Sequence, residues 1–476
     1  AIVVDWFLGG AKWNIGQIWA QTKHWFVVPV LKCGLYICLT CSFLLFLEWI
    51  HMMFLAAVAK LLRKKPAERY KWEAMKCDLE NLNGKGGGFP MVLVQIPIYN
   101  EIEVYKISIG AACKLSWPTD KLIVQVLDDS TDPVIRDMIE KECMRWAGEG
   151  INIRYQIRET RMGFKAGALK EGLKHDYARA CEYVAILDAD FQPEPDFLLQ
   201  AMPFLVHNPE LGLVQARWRF VNADECFLTR MQEMSLDFQF VIEQEGGSSV
   251  HSFFSFNGSG GIWRLATIDS AGGWNERSTV EDMDLALRAG LKGWKFLYLS
   301  DLQVKSELPS TFKAFRSQQY RWSSGPSNLF RKMVTEIAKN KEVSFRMKFY
   351  MIYNFFFIRK FIGTPFTFFF YCVVLPLVSM FPEVDIPKWG AIFATFLIAV
   401  IDTLVTTPRS LHLAVPWVLF ENIMSFHRTK ALVSGLVGAK GANEWIVTEK
   451  LGTSSTLTKM QDVKTGPTRF RRFRDR

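Results

Sequence analysis

Two carboxylates at the end of an apolar run are the first feature of this sequence that suggests chemistry. Residues 184–187 (Val-Ala-Ile-Leu) stop at Asp188-Ala-Asp190. A buried strand has this pattern, and ligands bind at the polar end of such strands in an open α/β sheet. Two carboxylates on alternate residues can hold one divalent cation, and Mg²⁺ or Mn²⁺ prefers such oxygen ligands. The pattern predicts a metal site for a diphosphate, with a solvated turn as the alternative.

A second pair of acids ends another predicted strand. Asp128 and Asp129 follow the apolar residues 122–127. The carboxyl ends of adjacent parallel strands meet at the same edge of a sheet, so one nucleotide can contact both pairs of acids. Asp129 is the candidate to hold the base or the ribose of that nucleotide.

A lysine and one further aspartate extend this set. Lys165 follows Gly163 near the start of a predicted helix, where a diphosphate is favoured. Asp282 is a candidate general base for an incoming hydroxyl, which requires that its carboxylate reach that proton in the ionised state. Each of these residues alone can instead serve in a salt bridge or a helix cap. Their joint order along the chain is much harder to produce by chance.

An α/β domain beginning at Met91 is predicted to position these residues. Strand-like and helix-like segments alternate from there, with strands predicted at 91–96, 122–127, 151–157 and 184–190. This alternation favours a mostly parallel sheet with right-handed crossovers. Further strands are predicted at 213–220 and 294–299, a strand–turn–strand at 253–263, and one long helix at 224–245.

The composition of the chain favours membrane contact. Of its 476 residues, 49% are hydrophobic and 14% aromatic, and the apolar residues cluster at the two ends. The net charge of +9 suits an anionic membrane surface or an anionic substrate. The sequence has no zinc-finger spacing and no aromatic-and-basic RNA-binding pattern, so no nucleic-acid partner is expected. Nine scattered cysteines, an odd number, argue against a disulfide scaffold.

The N-terminal region is predicted to lie on and across a membrane. Residues 1–24 carry tryptophans among glycines, as interfacial segments do. Residues 25–62 are nearly all apolar and fit a spanning helix. Five basic residues between 63 and 71 follow, and such a cluster favours a cytosolic face for the domain after it. No cleavable signal peptide is evident.

The C-terminal third is apolar again. The candidate spans are residues 361–381, 389–407 and 411–426, with a short fourth at 431–439. Asp402 and Glu421 fall inside two of them, and acids within a membrane are costly unless they face protein or a watery path. They predict either a helical bundle that encloses a polar conduit or a structural contact.

Taken in order, the acidic and aromatic motifs resemble a known family. The set is Asp129, Asp188-Ala-Asp190, Thr279-Val-Glu-Asp282 and Gln318-Gln-Tyr-Arg-Trp322. It resembles the processive family 2 glycosyltransferases, the cellulose synthase superfamily. Longer segments, such as Gln95-Ile-Pro-Ile-Tyr-Asn-Glu and Glu307-Leu-Pro-Ser-Thr-Phe-Lys-Ala, are similar to the plant cellulose-synthase-like A proteins, the mannan synthases. The resemblance covers roughly residues 40–452.

The resemblance implies a GT-A fold and an inverting transfer that builds a β-1,4-linked mannan or glucomannan from GDP-mannose and GDP-glucose. Asp282, with Asp129, would be catalytic, and Asp282 would deprotonate the 4-hydroxyl of the growing chain. Trp322 would stack on the acceptor sugar, with Glu281 beside it. The residues implied at the nucleotide sugar are Pro97, Tyr99, Glu101, Asp128, Asp129, Lys165, Asp188, Asp190, Gln318 and Arg321.

A gating loop follows from the same resemblance. Residues 443–452 are similar to the gating loop of bacterial cellulose synthases, with Trp445, Thr448 and Lys450 near the nucleotide. The chain then divides into an interfacial segment (1–24), a transmembrane helix (25–62), a basic linker (63–90), a GT-A domain (91–340), interfacial and transmembrane helices (341–442), this loop (443–452) and a basic tail (453–476).

The resemblance also implies a multi-pass protein of the Golgi membrane with a cytosolic catalytic domain. Its cofactor would be Mn²⁺ or Mg²⁺ on Asp188 and Asp190. The partners would be the nucleotide sugar, the growing polysaccharide and membrane lipid, with an accessory protein or a second copy of the chain left open.

Three alternatives to this reading remain. A related plant group makes β-1,4-glucan from UDP-glucose and shares every motif named. A transferase that makes a lipid-linked monosaccharide shares the donor chemistry, although Gln318, Arg321 and Trp322 favour a polymer. A membrane transporter with a cytosolic nucleotide-binding domain would explain Asp402 and Glu421, but the sequence has no internal repeat.

Overall fold

A mixed eight-stranded sheet organises residues 91–340. Its spatial order is β3-β2-β1-β4-β7-β6-β8-β5, with β3, β2, β1 and β4 parallel and β7 antiparallel to both of its neighbours. In chain order the strands are β1 (Val92–Ile98), β2 (Leu122–Asp128), β3 (Ile153–Ile157), β4 (Tyr183–Ile186), β5 (Gln192–Pro193), β6 (Leu211–Phe220), β7 (Gly261–Arg264) and β8 (Lys295–Ser306). The predicted α/β fold with a mostly parallel half is confirmed.

Helices flank the sheet and form the two ends of the chain. This computed structural model describes residues 15–61, 66–75, 88–387, 394–439, 447, 448, 450 and 452. The α-helices are α1 (Ile15–Thr22), α2 (Val28–Leu61), α3 (Tyr105–Cys113), α4 (Pro133–Gly148), α5 (Phe164–Gly172), α6 (Asp176–Arg179), α7 (Phe197–His207), α8 (Phe227–Phe238), α9 (Glu245–His251), α10 (Leu265–Ser270), α11 (Glu281–Leu291), α12 (Phe312–Lys339), α13 (Phe345–Phe349), α14 (Gly363–Thr367), α15 (Leu375–Ser379), α16 (Ala394–Thr406) and α17 (Ala414–Val437).

Both faces of the sheet are buried, which explains the continuous apolar runs of the central strands. Along β1, Val92, Val94 and Ile96 pack into the core on one face, and Leu93 packs into the core on the other. All four side chains have no solvent exposure. The central strands are therefore rigid supports for the residues at their carboxyl ends.

The two acid pairs lie at one edge of the sheet, although their strands are not adjacent. Strand β1 lies between β2 and β4 and is parallel to both. The expectation that β2 and β4 are neighbours was wrong. Their carboxyl ends still lie at the same edge of the sheet, because β2, β1 and β4 are parallel. The end of β1, with Pro97, and the loop after it, with Tyr99 and Glu101, lie between the two acid pairs.

Two predicted elements differ from the structure. The long helix at 224–245 is divided, because α8 passes into a π-helical stretch, Gln239–Gln244, before α9 begins. In the predicted strand–turn–strand at 253–263, only β7 forms a strand. The segment before β7 is held instead by turns with positive φ at Gly258 and Gly260.

One helix among the described residues, Gly16–Leu55, is long and apolar enough to cross a bilayer. The apolar helices Gly363–Ser379 and Thr395–Thr406 are shorter. Helix α17 runs without a break through Val437, so the separate segments predicted at 411–426 and 431–439 were wrong. A single span at the N-terminal side is consistent with membrane attachment.

Asp402 makes a structural contact. It lies on α16 and accepts a hydrogen bond from the Trp49 indole on α2 at 2.6 Å. Its exposed fraction is 6%. Of the two readings of this residue, the structural contact between terminal helices is the one that the fold supports.

Candidate active site

A cleft of about 180 Å³ opens at the carboxyl ends of β1, β2 and β4. Nearly all of the predicted site residues line it, although they come from segments spread over more than 350 positions. Those present are Pro97, Tyr99, Glu101, Asp129, Lys165, Asp188, Asp190, Glu281, Asp282, Gln318, Arg321, Trp322, Thr448 and Lys450. Trp445 lies outside the described residues.

Asp128 does not line the cleft, in contrast to the prediction. It is 1% exposed. One of its carboxylate oxygens accepts the Ser130 amide at 2.8 Å, and the other accepts the Tyr155 hydroxyl at 2.7 Å. Adjacent residues leave a strand in opposite directions, so only one of the two acids can face the ligand. Asp128 therefore fixes the turn that presents Asp129.

Asp129 is held by an arginine that the sequence reading missed. The Arg158 Nε donates to one carboxylate oxygen at 2.8 Å, and its terminal nitrogen donates to the other. Arg158 also donates to the Met162 and Phe164 carbonyls at 2.9 and 3.0 Å. This bidentate pair fixes the position of Asp129 and the course of the following loop.

Two lysines lie against the paired aspartates at the end of β4. Lys165 donates to Asp188 Oδ1 at 2.5 Å and to the Gly258 carbonyl at 2.8 Å. Lys450 donates to Asp190 Oδ2 at 2.9 Å. Burial lowers the pKa of Lys165, but Asp188 and Glu281 raise it more, so the net direction is upward and the ammonium stays charged.

Accumulated negative charge marks this part of the cleft. Burial, followed by the charges of Asp190 and Asp188, raises the pKa of Glu101 to about 8. Carboxylates gathered without enough cations raise one another's pKa in this way. Each lysine binds one oxygen of its aspartate, which leaves Asp188 and Asp190 a second oxygen each. The donor set and the charge both fit a Mn²⁺ or Mg²⁺ ion that also binds phosphate oxygens.

Asp282 lies close to this cluster, at the N-terminus of α11. A Cβ placed on Gly258 would lie 2.9 Å from Asp282 Oδ2 and 3.4 Å from Lys165 Nζ. The Met283 amide donates to Asp282 Oδ1 at 2.7 Å. Burial raises the pKa of Asp282, while Lys165, this amide and Arg321 oppose the rise. A raised pKa suits a general base, because the carboxylate then holds a proton more strongly.

Glu281 is a buried neighbour with a different environment. It is 2% exposed. Burial, followed by the charge of Asp282, raises its pKa. Two adjacent buried carboxyl groups cannot both ionise cheaply, which is why the charge of Asp282 opposes the ionisation of Glu281.

Helix α12 brings the Gln-Gln-Tyr-Arg-Trp motif to the cleft. A Cβ on Gly325 would lie 2.6 Å from Val280 Cγ1 and 3.0 Å from Thr279 Oγ1, so only glycine allows α12 to approach this loop so closely. Gln318, Arg321 and Trp322 face the cleft one to two turns earlier on the same helix. The small residue therefore sets the distance between the loop before Asp282 and the part of the cleft lined by Gln318, Arg321 and Trp322.

Val447, Thr448 and Lys450 line one wall of the cleft. Thr448 is 6% exposed, and its hydroxyl has no hydrogen-bond partner in the described part of the chain. The hydroxyl of Thr279 is also buried and has no hydrogen-bond partner among the described residues. Buried polar groups in folded proteins are normally satisfied. These two hydroxyls therefore point to a polar ligand in the cleft.

Besides Arg158, the sequence reading missed Arg161 and Trp218. Arg158 and Arg161 directly follow β3, which ends at the same sheet edge as β1, β2 and β4, and this position is the signal that could have identified them. The Trp218 indole donates to the Ser259 carbonyl at 3.0 Å, next to a bulge in β6 between Ala216 and Arg217. Bulges turn a side chain toward a site, and no sequence pattern marks this one.

Comparison with known proteins identifies the family of this chain. Residues 183–448 match the family model described as Glycosyl transferase family group 2, and residues 93–259 match Glycosyl transferase family 2. Glucomannan 4-beta-mannosyltransferase 2 of Arabidopsis thaliana is 61% identical over 93% of this chain and 82% of its own length. The chain belongs to this family of glycosyltransferases. Glucomannan 4-beta-mannosyltransferase 1 of Oryza sativa subsp. japonica is 58% identical over 94% of this chain and 85% of its own length.

The predictions of a family 2 glycosyltransferase, of an enzyme and of a GT-A fold are confirmed by these matches. A solved structure also shares the fold: a mannosyltransferase from Pyrobaculum calidifontis in complex with GDP-Man and Mn²⁺. Its TM-score is 0.52 at 18% identity, covering 83% of this chain and 100% of that one. The transporter alternative does not fit a glycosyltransferase family.

Proposed function

We propose that this glycosyltransferase polymerises β-1,4-linked mannan or glucomannan from GDP-mannose, with GDP-glucose as a second donor. The observation that carries the proposal is the convergence in one cleft of the Asp188/Asp190 pair, Asp282 and Trp322. A diphosphate leaving group, a deprotonating carboxylate and a platform for a sugar ring are the parts that such a transfer needs. The family names of the relatives support mannose as the donor sugar.

The cationic side chains are proposed to hold the donor diphosphate. Lys165 and Lys450 lie on the two aspartates, and Arg321 shares the cleft with them. A bound Mn²⁺ or Mg²⁺ would neutralise the charge that develops on the departing nucleoside diphosphate. Asp129, fixed by Arg158, is proposed to contact the ribose or base. The anomeric carbon is thereby directed toward Asp282.

Asp282 is proposed to take the proton from the 4-hydroxyl of the acceptor. Its N-terminal position on α11 gives an amide and a helix dipole that keep the carboxylate ionised before the transfer. When the hydroxyl oxygen attacks from the face opposite the diphosphate, the configuration at the anomeric carbon inverts. Glu281 is proposed to line the acceptor position beside it.

A second cavity supports a polymeric acceptor over a single transferred sugar. It shares Leu236, Gln318 and Trp322 with the main cleft and has a volume of about 220 Å³. Its lining is mainly polar and aromatic, as hydroxyl-rich ligands require, and comprises Gln232, Ser235, Leu236, Gln239, Phe315, Gln318, Gln319, Trp322, Ser323, Thr364, Glu421, Arg428 and Leu432. A chain that stacks on Trp322 can extend into this space as it grows.

Membrane placement is part of the proposal. The helix Gly16–Leu55 supports attachment, and the basic residues after it support a cytosolic catalytic domain. Several C-terminal spans, a Golgi location, passage of the product across the membrane, and an accessory protein or second copy of the chain as partner are proposed from the resemblance alone.

The test supplies purified full-length chain in lipid nanodiscs with Mn²⁺ and one donor at a time: GDP-mannose, GDP-glucose or UDP-glucose. We expect polymer from GDP-mannose that an endo-β-1,4-mannanase degrades. Polymer from UDP-glucose alone, degraded by a β-1,4-glucanase, would replace the mannan assignment with the glucan alternative. A product of one sugar on lipid would overturn processive synthesis.

A further inference from the structure

The loop after β3 carries an arginine with an unusual position. The Arg161 guanidinium lies 3.3 Å from the centre of the Tyr99 ring and 5.1 Å from that of Phe164. A guanidinium this close to an aromatic face is held in a fixed plane by cation–π attraction. Arg161 lines the main cleft and also a neighbouring cavity of about 520 Å³ beside Asn100 and Glu101. It therefore forms the boundary between the two spaces.

One nitrogen of the Arg161 guanidinium has no hydrogen-bond partner among the residues that the structure describes. Arg161 Nε is buried, and no residue in the described parts of the chain accepts a hydrogen bond from it. An unsatisfied buried donor costs free energy unless a ligand or water accepts its hydrogen bond. A fixed plane and an unsatisfied donor together indicate that the polar edge of Arg161 serves a ligand.

The backbone that holds Arg161 is also specific. Gly163 has φ +73° and Phe164 has φ +49°, both in the left-handed region. Arg158 binds the carbonyls of Met162 and Phe164 while it holds Asp129. The same arginine thus ties the Arg161 loop to the aspartate proposed for the ribose or base. Burial lowers the pKa of the Arg161 guanidinium, but Arg161 is near enough to Asp129 for the charge of that carboxylate to oppose this shift. Lys165 and Lys450 instead contact Asp188 and Asp190 directly.

We propose that Arg161, aligned by the Tyr99 ring, reads the O6 and N7 atoms of a guanine base and thereby selects GDP-sugars over UDP-sugars. The planar fork of a guanidinium matches these two adjacent acceptors of guanine, and this is the commonest specific arginine–base pair in nucleic-acid recognition. Uracil has no atom equivalent to N7, so it cannot form this bidentate pair with Arg161. This inference rests on the proposed GDP-mannose donor and adds the residue that sets the choice of base.

A contact with the diphosphate is the competing role for Arg161. It predicts a different result, because GDP and UDP carry the same diphosphate. Loss of a phosphate contact would weaken the binding of both nucleotides equally, whereas loss of a base contact would weaken the binding of GDP alone. Comparison of the two nucleotides therefore separates the roles.

The experiment measures dissociation constants of GDP, UDP and 7-deaza-GDP for the full-length protein in Mn²⁺ by titration calorimetry. The wild-type protein should bind GDP more tightly than UDP and 7-deaza-GDP. Arg161→Ala and Arg161→Met should each weaken the binding of GDP roughly 5- to 150-fold, the range for one bidentate base contact, and leave the binding of UDP within about twofold. Arg145→Ala, an exposed arginine on α4, is the matched control and should change neither.

The methionine variant keeps a long side chain but has no hydrogen-bond donor, so it reports on the base contact even if the alanine variant folds poorly. An unchanged GDP-to-UDP ratio in Arg161→Met, with a clear preference in the wild type, would overturn the inference and leave the proposed function intact. Equal weakening of GDP and UDP would also overturn it, in favour of a diphosphate contact. Tighter binding of UDP than of GDP by the wild-type protein would overturn both the inference and the GDP-mannose proposal.

Discussion

The ammonium of Lys450 lies 2.9 Å from Oδ2 of Asp190, a carboxylate proposed to bind the divalent cation. The two residues are 260 positions apart, and the contact brings the C-terminal loop against the end of β4. Lys450 also donates to the Glu307 carbonyl, and Asp190 accepts the Glu307 amide at 2.9 Å. A lysine thus competes for one of the two carboxylates proposed to bind the divalent cation.

The first prediction follows from this competition. Lys450→Ala should raise the affinity for Mn²⁺ without nucleotide, because one positive charge no longer competes for Asp190. It should lower the affinity for GDP in Mn²⁺, because the diphosphate loses a cation. Electron paramagnetic resonance of free Mn²⁺ measures the first effect, and calorimetry measures the second. Lys305→Ala, an exposed lysine paired with Glu194, is the control; unchanged Mn²⁺ affinity in Lys450→Ala would show that the contact has no such role.

Trp322→Ala should weaken the binding of the acceptor and leave the binding of the donor unchanged. An apolar sugar face of ~60 Å² buried at ~25 cal/mol per Å² gives ~1.5 kcal/mol, so the KM for a mannan oligosaccharide should rise about tenfold. Trp322→Phe should recover part of this loss because it keeps an aromatic face. A variant whose GDP affinity falls while its acceptor KM is unchanged would contradict the stacking role.

Glu421 links α17 to the second cavity and should affect product length. It accepts the Ser235 hydroxyl at 3.0 Å and pairs with Arg428, whose Nε donates to Gln319 at 2.8 Å. Glu421→Gln should disturb Gln319, next to Gln318 of the motif, and shorten the polymer without changing GDP affinity. The exposed Glu342→Gln is the control. A chain-length distribution equal to that of the wild type would argue against a path through this cavity.

His251 should make the protein less stable in acid. Its ring stacks on Tyr350 at 3.8 Å, and burial, followed by the charges of Arg346 and His51, lowers its pKa to about 4. The unfolded chain takes up a proton near pH 6.5 and the folded chain only near pH 4, so this group reduces the free energy of unfolding as the pH falls between these values. His251→Phe keeps the stack and should show a smaller fall in Tm from pH 6.5 to 4. Parallel Tm curves for the two proteins would exclude the effect.

The sequence was sufficient to identify the site residues at strand ends, because a run of apolar residues followed by an acid indicates a strand that ends at the edge of a parallel sheet. It could not choose between Asp128 and Asp129, since the direction of two adjacent side chains depends on the pleat of the strand. It also could not reveal the pairing of Arg158 with Asp129, which requires the loop after β3 to fold back toward β2. A hydrophobic pattern identifies elements, whereas these contacts depend on tertiary packing.

In the C-terminal half, too, the hydrophobic pattern of the sequence could not predict the contacts between elements. The family resemblance predicted that Thr448 and Lys450 lie near the nucleotide, and in the structure both residues line the cleft. The single long helix α17 was divided in the sequence reading because polar residues such as His427 and Arg428 interrupt its apolar pattern. In the fold these residues bind α12, where His427 contacts the Arg316 carbonyl at 3.0 Å and Arg428 binds Gln319. A polar residue inside a helix can therefore mark a contact with another helix.

The most direct test of the central claim is the turnover of Asp282→Asn, measured beside its GDP affinity in Mn²⁺. Asparagine keeps the shape but cannot accept the proton of the 4-hydroxyl, so mannosyl transfer should fall roughly 10²- to 10⁴-fold. GDP affinity should stay within about twofold, and the exposed Asp269→Asn should retain full activity. Turnover of Asp282→Asn within tenfold of the wild-type rate would contradict the assignment of this aspartate as the base.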